Sequence, residues 1–308
     1  MNSASAPSSK AAFLSSPIHC IKHLNYFDIY DELLSKYVGK EFTFVEVGVL
    51  DGGSLFMWRN FFGRNARIIG IDLNPGAKRW EEEGFEIFIG DQSNKLFWED
   101  FYRKVGMIDV LLDDGGHMND QQTVTVLASL PNIKDGGILM VEDTCTSFMK
   151  FDSFKKYSFI SHMKREIDSL HSRSPELDYL DSGFTDKVHS VTFFENICVI
   201  NVDGTKSLKN ARVVNNGTKV DAKDYRYSAE TWFSRFLRVA YDGISIDYLT
   251  LDRKVRHPMF ARIVDFKLIR IFLRIFILPI RWVIYLGMKT ENARRFRSLA
   301  RQFTKRAS

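Results

Sequence analysis

Short apolar runs alternate with segments of helical spacing along the first two hundred residues. Apolar side chains recur every three or four residues within 25–37, which predicts a helix there. Five short apolar runs predict buried strands at 42–49, 66–73, 85–91, 108–114 and 138–143. Helical patterns separate several of them, as at 55–63 and 123–133. Strands that alternate with helices in this way indicate a parallel sheet covered on both faces.

Residues 188–202 follow a different pattern. Two β-rich runs in VHSVTFFENICVINV are joined through Glu195 and Asn196, which predicts a closing antiparallel hairpin. We therefore predict an α/β fold, namely a Rossmann-like, doubly wound, mostly parallel seven-stranded sheet with a C-terminal antiparallel hairpin. The predicted domain occupies 25–204, and an appended segment of uninformative composition follows at 205–253.

The two ends of the chain differ from this domain in composition. Residues 1–24 are rich in Ser, Ala and Pro and lack a long apolar core, so we expect a flexible leader and not a secretory signal. The net charge is +5, yet residues 254–308 hold 14 of the 43 basic side chains and only two of the 38 acidic ones. An acidic body therefore carries a basic tail.

The tail has the pattern of an amphipathic helix. Lys267, Arg270, Arg274 and Arg281 fall on one narrow stripe, and the remaining circumference is Ile, Leu, Phe and Trp. We expect this basic amphipathic helical tail to lie on an anionic membrane surface. Packing against protein, including a homo-oligomer interface, is the alternative, and no nucleic-acid partner is expected. Since no stretch reaches about 18 uninterrupted apolar residues, no membrane-spanning helix is expected.

Cysteine usage bears on the compartment. The three cysteines, Cys20, Cys145 and Cys198, are odd in number, scattered and without CxxC spacing. This argues against a disulfide framework and indicates a reducing compartment. We expect a cytoplasmic protein, peripheral on the inner membrane face if the tail binds lipid.

The loop after the first strand carries glycines suited to a ligand. Glu46, Gly48 and Gly52 form an E-x-G-x-x-x-G pattern, typical of S-adenosylmethionine-dependent methyltransferases. Ser54, near the next helix N-terminus, could contact a carboxylate together with free backbone N–H groups. A dinucleotide fingerprint needs a further glycine where Leu50 stands, which counts against an NAD enzyme.

Two carboxylates follow the second and third strands. Asp72 comes where a ribose diol would lie in such a sheet, and Asp91 where an adenine amino group could be met. Each could instead cap the following turn or helix. Because both positions follow the glycine loop, we favour a nucleoside cofactor.

Strands four and five end in acidic side chains. Asp114, Glu142 and Asp143 should converge, because these strands are neighbours in a doubly wound sheet. Three carboxylates at one point repel one another unless a cation neutralises them, and oxygen ligands favour Mg²⁺, with Mn²⁺ or Ca²⁺ as alternatives. His117, beyond two glycines, is placed to remove a proton from a hydroxyl. Asp113 either serves the cofactor or caps the turn.

Together, the runs VEVGVLDGGSLFMW, IIGIDLNP, IGDQS, DDGGH and VEDTCTS resemble the metal-dependent sugar O-methyltransferases of the mycinamicin VI 2''-O-methyltransferase and cephalosporin hydroxylase-like type. The resemblance covers about 25–204, and DDGGH followed by ED is its most specific part. It implies Mg²⁺ held by Asp114, Glu142 and Asp143, with His117 as the general base. It also implies S-adenosylmethionine contacts at Glu46, Gly48, Gly52, Ser54, Asp72, Asp91, Gln92 and Asp113.

The implied reaction is methyl transfer to a sugar hydroxyl. With the basic tail, the expected acceptor is a cell-surface glycan or glycolipid, and a glycosylated small molecule is an alternative. Cys145 stands where such enzymes often carry a histidine or a bulky residue. The resemblance therefore does not indicate which substrate contacts are made at this position. A different class is a non-catalytic S-adenosylmethionine-binding assembly factor on the membrane. Intact DDGGH and ED favour the enzyme, because a module without chemistry has no need of a metal and a base.

Overall fold

The computed structural model describes residues 8–149, 157–173, 186–208 and 213–218, residues 220 and 232–233, and eight positions between 283 and 297. The chain divides into two units, 1–214 and 215–308. Most of the predicted segment 205–253 and of the tail 254–308 lies outside the described residues. The eight described tail positions are helical. Within the described part of the chain, no helix combines the length and the apolar character needed to cross a membrane.

The helices and strands whose bounds the described residues define lie in the first unit. Its helices α1 to α6 are Ser9–Leu14, Tyr26–Leu34, Gly53–Phe62, Lys95–Val105, Asn119–Ser129 and Phe159–Ser172. Its strands β1 to β7 are Phe42–Val47, Ala66–Asp72, Glu86–Ile89, Ile108–Asp113, Ile133–Val141, Val188–Phe194 and Ile197–Val202.

The strands form one seven-stranded sheet in the order β3-β2-β1-β4-β5-β7-β6. The first five strands are mutually parallel, whereas β7 runs antiparallel to β5 and pairs with β6 in the closing hairpin. The predicted fold class is confirmed. The chain direction across the sheet reverses between β1 and β4, and ligands bind beyond the strand ends at such a switch point.

Both faces of the sheet are covered by apolar packing. One face packs against α1, α2 and α3 through aromatic side chains such as Tyr30, Trp58 and Phe62. The other face packs against α4, α5 and α6, with Trp98 and Met163 in its core. Because both faces are buried, the central strands are almost wholly apolar, and the polar residues gather at their carboxyl ends.

The predicted flexible leader is wrong for residues 8–24. Ser8 caps α1 by accepting from the Ala11 N–H, and the Ser9 N–H donates to Asp31 Oδ1 at 2.7 Å. Ser16 Oγ then donates to the Gly53 carbonyl at 2.9 Å. The segment is rich in Ser and Ala, which suggested a flexible leader. These small side chains instead suit close packing on α2 and α3.

One helix boundary also differs from the prediction. Helix α5 begins at Asn119 instead of residue 123 and ends at Ser129. The Gln121 side chain accepts from the Met118 N–H at 3.2 Å, so polar residues start this helix before its apolar pattern begins.

Candidate active site

A cleft of about 520 Å³ opens beyond the carboxyl ends of β1 to β5. It is lined by most of the predicted cofactor and metal residues. Those that line it are Gly48, Ser54, Asp72, Asp91, Gln92, Asp114, His117 and Asp143. The topology therefore brings together loops that are up to 95 positions apart in the sequence.

Glycines allow the loop after β1 to form one wall. Gly48 has φ +92°, and a Cβ there would lie 2.1 Å from the Asp114 carbonyl oxygen. Gly52 has φ +93° at the start of α3, and a Cβ there would lie 2.3 Å from the Trp80 indole. Any larger side chain would meet backbone at Gly48 or the partly buried Trp80 ring at Gly52, so this conformation of the loop requires glycine.

Asp72 and Asp91 both lie in the cleft and also organise their own loops. Asp72 Oδ2 accepts from the N–H groups of Val49 and Leu50 at 2.8 and 2.9 Å. Asp91 Oδ1 accepts from the Ser93 N–H at 2.8 Å. Both aspartates therefore cap turns, as the alternative interpretation expects. Both side chains are also exposed to the cleft.

Glu46 lies behind the cleft wall, which differs from the predicted cofactor contact. Its carboxylate is fully buried and accepts from Ser54 Oγ at 2.7 Å and from Trp58 Nε1 at 2.9 Å. Burial raises the pKa of Glu46 to about 7. Its place in the structure is to tie the end of β1 to α3.

Asp113 also lies behind the wall and differs from the predicted cofactor contact. It is 1% exposed and accepts from Gln92 Nε2 at 3.0 Å and from the Gly115 N–H at 3.2 Å. Gln92 in turn accepts from the Gly116 N–H at 3.0 Å. Asp113 therefore anchors the DDGGH loop from beneath, through its own contacts and through Gln92.

A candidate cation site stands at one end of the cleft. Asp114, His117 and Asp143 each offer a ligand atom, and these atoms lie within 4.8 Å of one another. His117 Nε2 is 3.4 Å from Asp143 Oδ2 and 4.0 Å from Asp114 Oδ1. His117 Nδ1 is buried without a hydrogen-bond partner. Two carboxylates and an imidazole are a donor set that fits a divalent ion.

The backbone at this site is held in an unusual conformation. His117 and Asp143 have φ of 56° and 54°, in the left-handed region that non-glycine residues rarely adopt. Thr146 Oγ1 lies within hydrogen-bond distance of both of their carbonyl oxygens, at 2.8 and 2.9 Å. Strained backbone of this kind persists where surrounding contacts impose it, and it is common at functional sites.

Glu142, the third predicted ligand, does not join this group. Its carboxylate accepts from Lys22 Nζ at 3.0 Å and from the Tyr30 hydroxyl, and Lys22 Nζ also pairs with Asp114 Oδ2. Burial acts to lower the pKa of Lys22, but the Asp114 and Glu142 carboxylates outweigh it and raise that pKa well above its ordinary value. Tyr26 donates to Asp143 Oδ1 at 2.6 Å.

Lys22 and the segment that carries it were not predicted from the sequence. His19, Cys20 and Ile21 line the cleft, and a Cβ on Gly53 would lie 2.2 Å from the His19 carbonyl oxygen. Burial raises the pKa of Cys20 to about 11. The signal available was the run IHCIKH, rich in polar and cationic side chains immediately before a predicted helix.

Several proteins of similar sequence are named as O-methyltransferases. Residues 45–144 match the sequence family described as a methyltransferase domain. Demethylmacrocin O-methyltransferase of Streptomyces fradiae is 28% identical over 187 residues, covering 54% of this chain and 47% of that protein. Mycinamicin VI 2''-O-methyltransferase of Micromonospora griseorubida is 30% identical over 126 residues, covering 39% and 31%. The predicted resemblance to sugar O-methyltransferases is confirmed.

A solved structure shares the fold of this α/β domain. MycE methyltransferase from the mycinamycin biosynthetic pathway, in complex with Mg and SAH, superposes with a TM-score of 0.56 at 21% identity, covering 65% of this chain and 54% of that one. The chain spans less than half the length of the two curated relatives named above.

Proposed function

We propose that this protein is an S-adenosylmethionine-dependent, metal-dependent O-methyltransferase that acts on a sugar hydroxyl. One observation carries the proposal. A single cleft holds a glycine loop with Asp72 and Asp91 at one end and the Asp114, His117 and Asp143 group at the other. The names of three relatives, which describe O-methylation of demethylmacrocin, of mycinamicin VI and of a rhamnosyl tetracenomycin, support the same reaction class.

The loop after β1 would hold the cofactor. Gly48 lets the backbone approach a ligand closely, and the backbone N–H groups at the start of α3 suit the carboxylate of the amino-acid part. The Ser54 hydroxyl donates to Glu46 and so supports this turn from behind. Asp72 would accept from the ribose hydroxyls, and Asp91 would lie on the adenine side. Asp72 also fixes the loop itself, so it acts on both ligand and backbone.

Asp114 and Asp143 would hold a divalent cation, with the His117 imidazole beside it. Carboxylate oxygens suit Mg²⁺, and an added imidazole is also compatible with Mn²⁺. When bound, S-adenosylmethionine supplies the methyl group, and the cation supplies positive charge that lowers the pKa of an acceptor hydroxyl.

His117 would take the proton of that hydroxyl. Its ring lines the cleft beside both aspartates, and its backbone is fixed by the DDGGH loop and by Thr146. As the acceptor oxygen bonds to the methyl carbon, the carbon–sulfur bond breaks, and the proton leaves to the imidazole. The products are a methyl ether and S-adenosylhomocysteine. Most of the rate gain would come from positioning the two reactants.

Within the class of sugar acceptors, we propose a lipid-linked or cell-surface glycan. The basic stripe of the tail suits an anionic membrane surface, which would place the enzyme in the cytoplasm, on the inner face of the membrane. The alternative acceptor is a glycosylated small molecule, which the names of the relatives favour.

The test is transfer of labelled methyl from S-adenosylmethionine to a glycolipid extract and, separately, to a rhamnosylated small molecule. We expect label on the glycolipid sugar, loss of labelling with EDTA and recovery with Mg²⁺. Label on the small glycoside alone would select the alternative acceptor. Binding of S-adenosylhomocysteine without transfer to either acceptor would favour the non-catalytic binding module, and transfer that survives EDTA would remove the cation.

A further inference from the structure

We propose that Lys22 is an internal cation that withdraws Glu142 from the cation site, so that the ion is held by Asp114 and Asp143 at the His117 side. This inference rests on the cation assigned under the proposed function. It differs from the ligand set that the family resemblance implies, in which Glu142 coordinates the ion beside the two aspartates.

Contacts already made by Glu142 occupy both of its oxygens. Oε2 accepts from Lys22 Nζ at 3.0 Å, and Oε1 accepts from the Tyr30 hydroxyl. The Glu142 side chain is 1% exposed, whereas those of Asp114 and Asp143 are 22% and 24% exposed. Glu142 therefore faces inward toward α2, and the two aspartates face the cleft.

Lys22 is part of a built arrangement and not a surface pair. Its side chain is 2% exposed, and its ammonium lies 5.9 Å from the centre of the Tyr30 ring. Tyr30 in turn packs edge-on against Trp58, with ring centres 5.0 Å apart. Moving Lys22 would leave the buried Glu142 carboxylate and the neighbouring Asp114 carboxylate without a counter-charge, so these two carboxylates hold the lysine in place.

Asp114 lies between the Lys22 ammonium and the proposed divalent ion. Its Oδ2 pairs with Lys22 Nζ, while Oδ1 is the oxygen nearer to His117 Nε2, 4.0 Å away. An ion bound at the His117 side would therefore feel a fixed positive charge across one carboxylate. That charge weakens divalent binding, and it makes the affinity depend on Asp143 more than on Glu142.

The first test compares carboxylate variants of the full chain by titration with Mn²⁺, with free Mn²⁺ followed by electron paramagnetic resonance. We expect Asp143→Asn to weaken Mn²⁺ binding at least tenfold and Glu142→Gln to change it less than threefold. A tenfold loss in Glu142→Gln would overturn the proposal, as would absence of Mn²⁺ binding to every variant. Neither variant removes Lys22, so this comparison stands even if Lys22 variants do not fold.

The second test removes the lysine. We expect Lys22→Met to bind Mn²⁺ at least fivefold more tightly than the unaltered protein, because Glu142 becomes free to coordinate. In that background Glu142→Gln should weaken binding at least fivefold, an effect absent when Lys22 is present. Lys36→Met is the matched control, since Lys36 Nζ donates to the Gly136 carbonyl instead of to a carboxylate. Unchanged or weaker binding in Lys22→Met would contradict the proposal.

Failure of this inference is distinguishable from failure of the proposed function. Methyl transfer that needs Mg²⁺, combined with a strong Glu142→Gln defect in Mn²⁺ binding, would retain the enzyme and reject the role of Lys22. Methyl transfer that survives EDTA would reject the cation for the reaction itself, whatever the Mn²⁺ titrations give.

Discussion

Gly48 is the residue at which two site-forming loops touch. A Cβ at this position would lie 2.1 Å from the carbonyl oxygen of Asp114, and φ is +92°. Gly84 has a similar φ of +80°, but a Cβ there would meet nothing within 4 Å. Alanine substitutions at Gly48 and Gly84 therefore separate two destabilising effects. Both place alanine in the left-handed region, but only the one at Gly48 also forces two loops apart.

We expect Gly48→Ala to lose roughly 2–4 kcal/mol of unfolding free energy and Gly84→Ala about 1 kcal/mol, because only the first combines backbone strain with a steric clash. Gly48→Ala should also bind S-adenosylhomocysteine at least tenfold more weakly. Urea unfolding and calorimetric titration measure the two effects. Equal losses of stability in the two variants would show that the close approach of the loops does not matter.

His117 has two candidate roles that a metal titration separates. If His117 is the base, His117→Ala should lower turnover by about 100-fold or more and should change the affinity for S-adenosylhomocysteine or Mn²⁺ only a little. As a ligand, the same change would also weaken Mn²⁺ binding. We expect the first result. Near-normal turnover in His117→Ala would remove the residue from proton transfer altogether.

Most of the predicted residues lie in the cleft because they stand at or just beyond the ends of apolar strands, where the topology of a parallel sheet gathers them. Asp72, Asp91 and Asp114 are examples. Lys22 could not be predicted in this way, since its carboxylate partners are 92 and 120 positions away. For Glu142, the strand position was correctly inferred, but its direction depends on that distant lysine.

At the scale of elements, Glu46 joins β1 to α3 through Ser54 and Trp58. Burial raises its pKa from the ordinary value of 4.5 to about 7. Between these two values the folded state holds a proton that the unfolded state has released. The folded state is therefore favoured by this group at low pH, and that contribution is lost as pH rises through the window.

Glu46→Gln should remove this pH dependence. Relative to the unaltered protein, we expect the variant to gain on the order of 2 kcal/mol in unfolding free energy between pH 5 and pH 8. Glu86→Gln is the control, since the Arg67 guanidinium lowers the pKa of Glu86 and its contribution is constant over that range. Urea unfolding at both pH values tests this, and a pH-independent difference between Glu46→Gln and the unaltered protein would contradict it.

The strands and the hairpin followed from apolar runs bounded by glycine, aspartate and asparagine, and their predicted positions agree with β1 to β7 to within a few residues, apart from β5, which starts five residues earlier. Helix α1 was missed for a physical reason. It has six residues, and its stability comes from tertiary contacts such as that of Ser9 with Asp31 instead of from an apolar stripe of its own.

For the whole molecule, the separation of charge is the main property that the fold of the first unit does not explain. The tail holds 14 basic and two acidic side chains, whereas the rest of the chain is net acidic. This separation of charge suits the proposed membrane binding, in which the basic part would bind an anionic surface and the acidic part would not.

Deleting residues 255–308 should abolish co-sedimentation with vesicles that contain phosphatidylglycerol, while binding of S-adenosylhomocysteine is retained. A full-length variant with Lys267, Arg270 and Arg274 changed to Glu should give the same loss without truncation. Raising the salt concentration should weaken binding of the unaltered chain. Unchanged sedimentation of the deletion variant would refute membrane binding by the tail.

The pairing of Lys22 with Glu142 has a consequence for synthesis of the protein. The lysine leaves the ribosome 120 residues before the glutamate, which at about 5–20 residues per second corresponds to roughly 6–24 s. Asp114 emerges 92 residues after the lysine, so for that part of the interval Lys22 has neither of its carboxylate partners in the nascent chain. The cleft can therefore reach its final charge balance only after β5 has emerged, so that assembly of this site is a late event in co-translational folding.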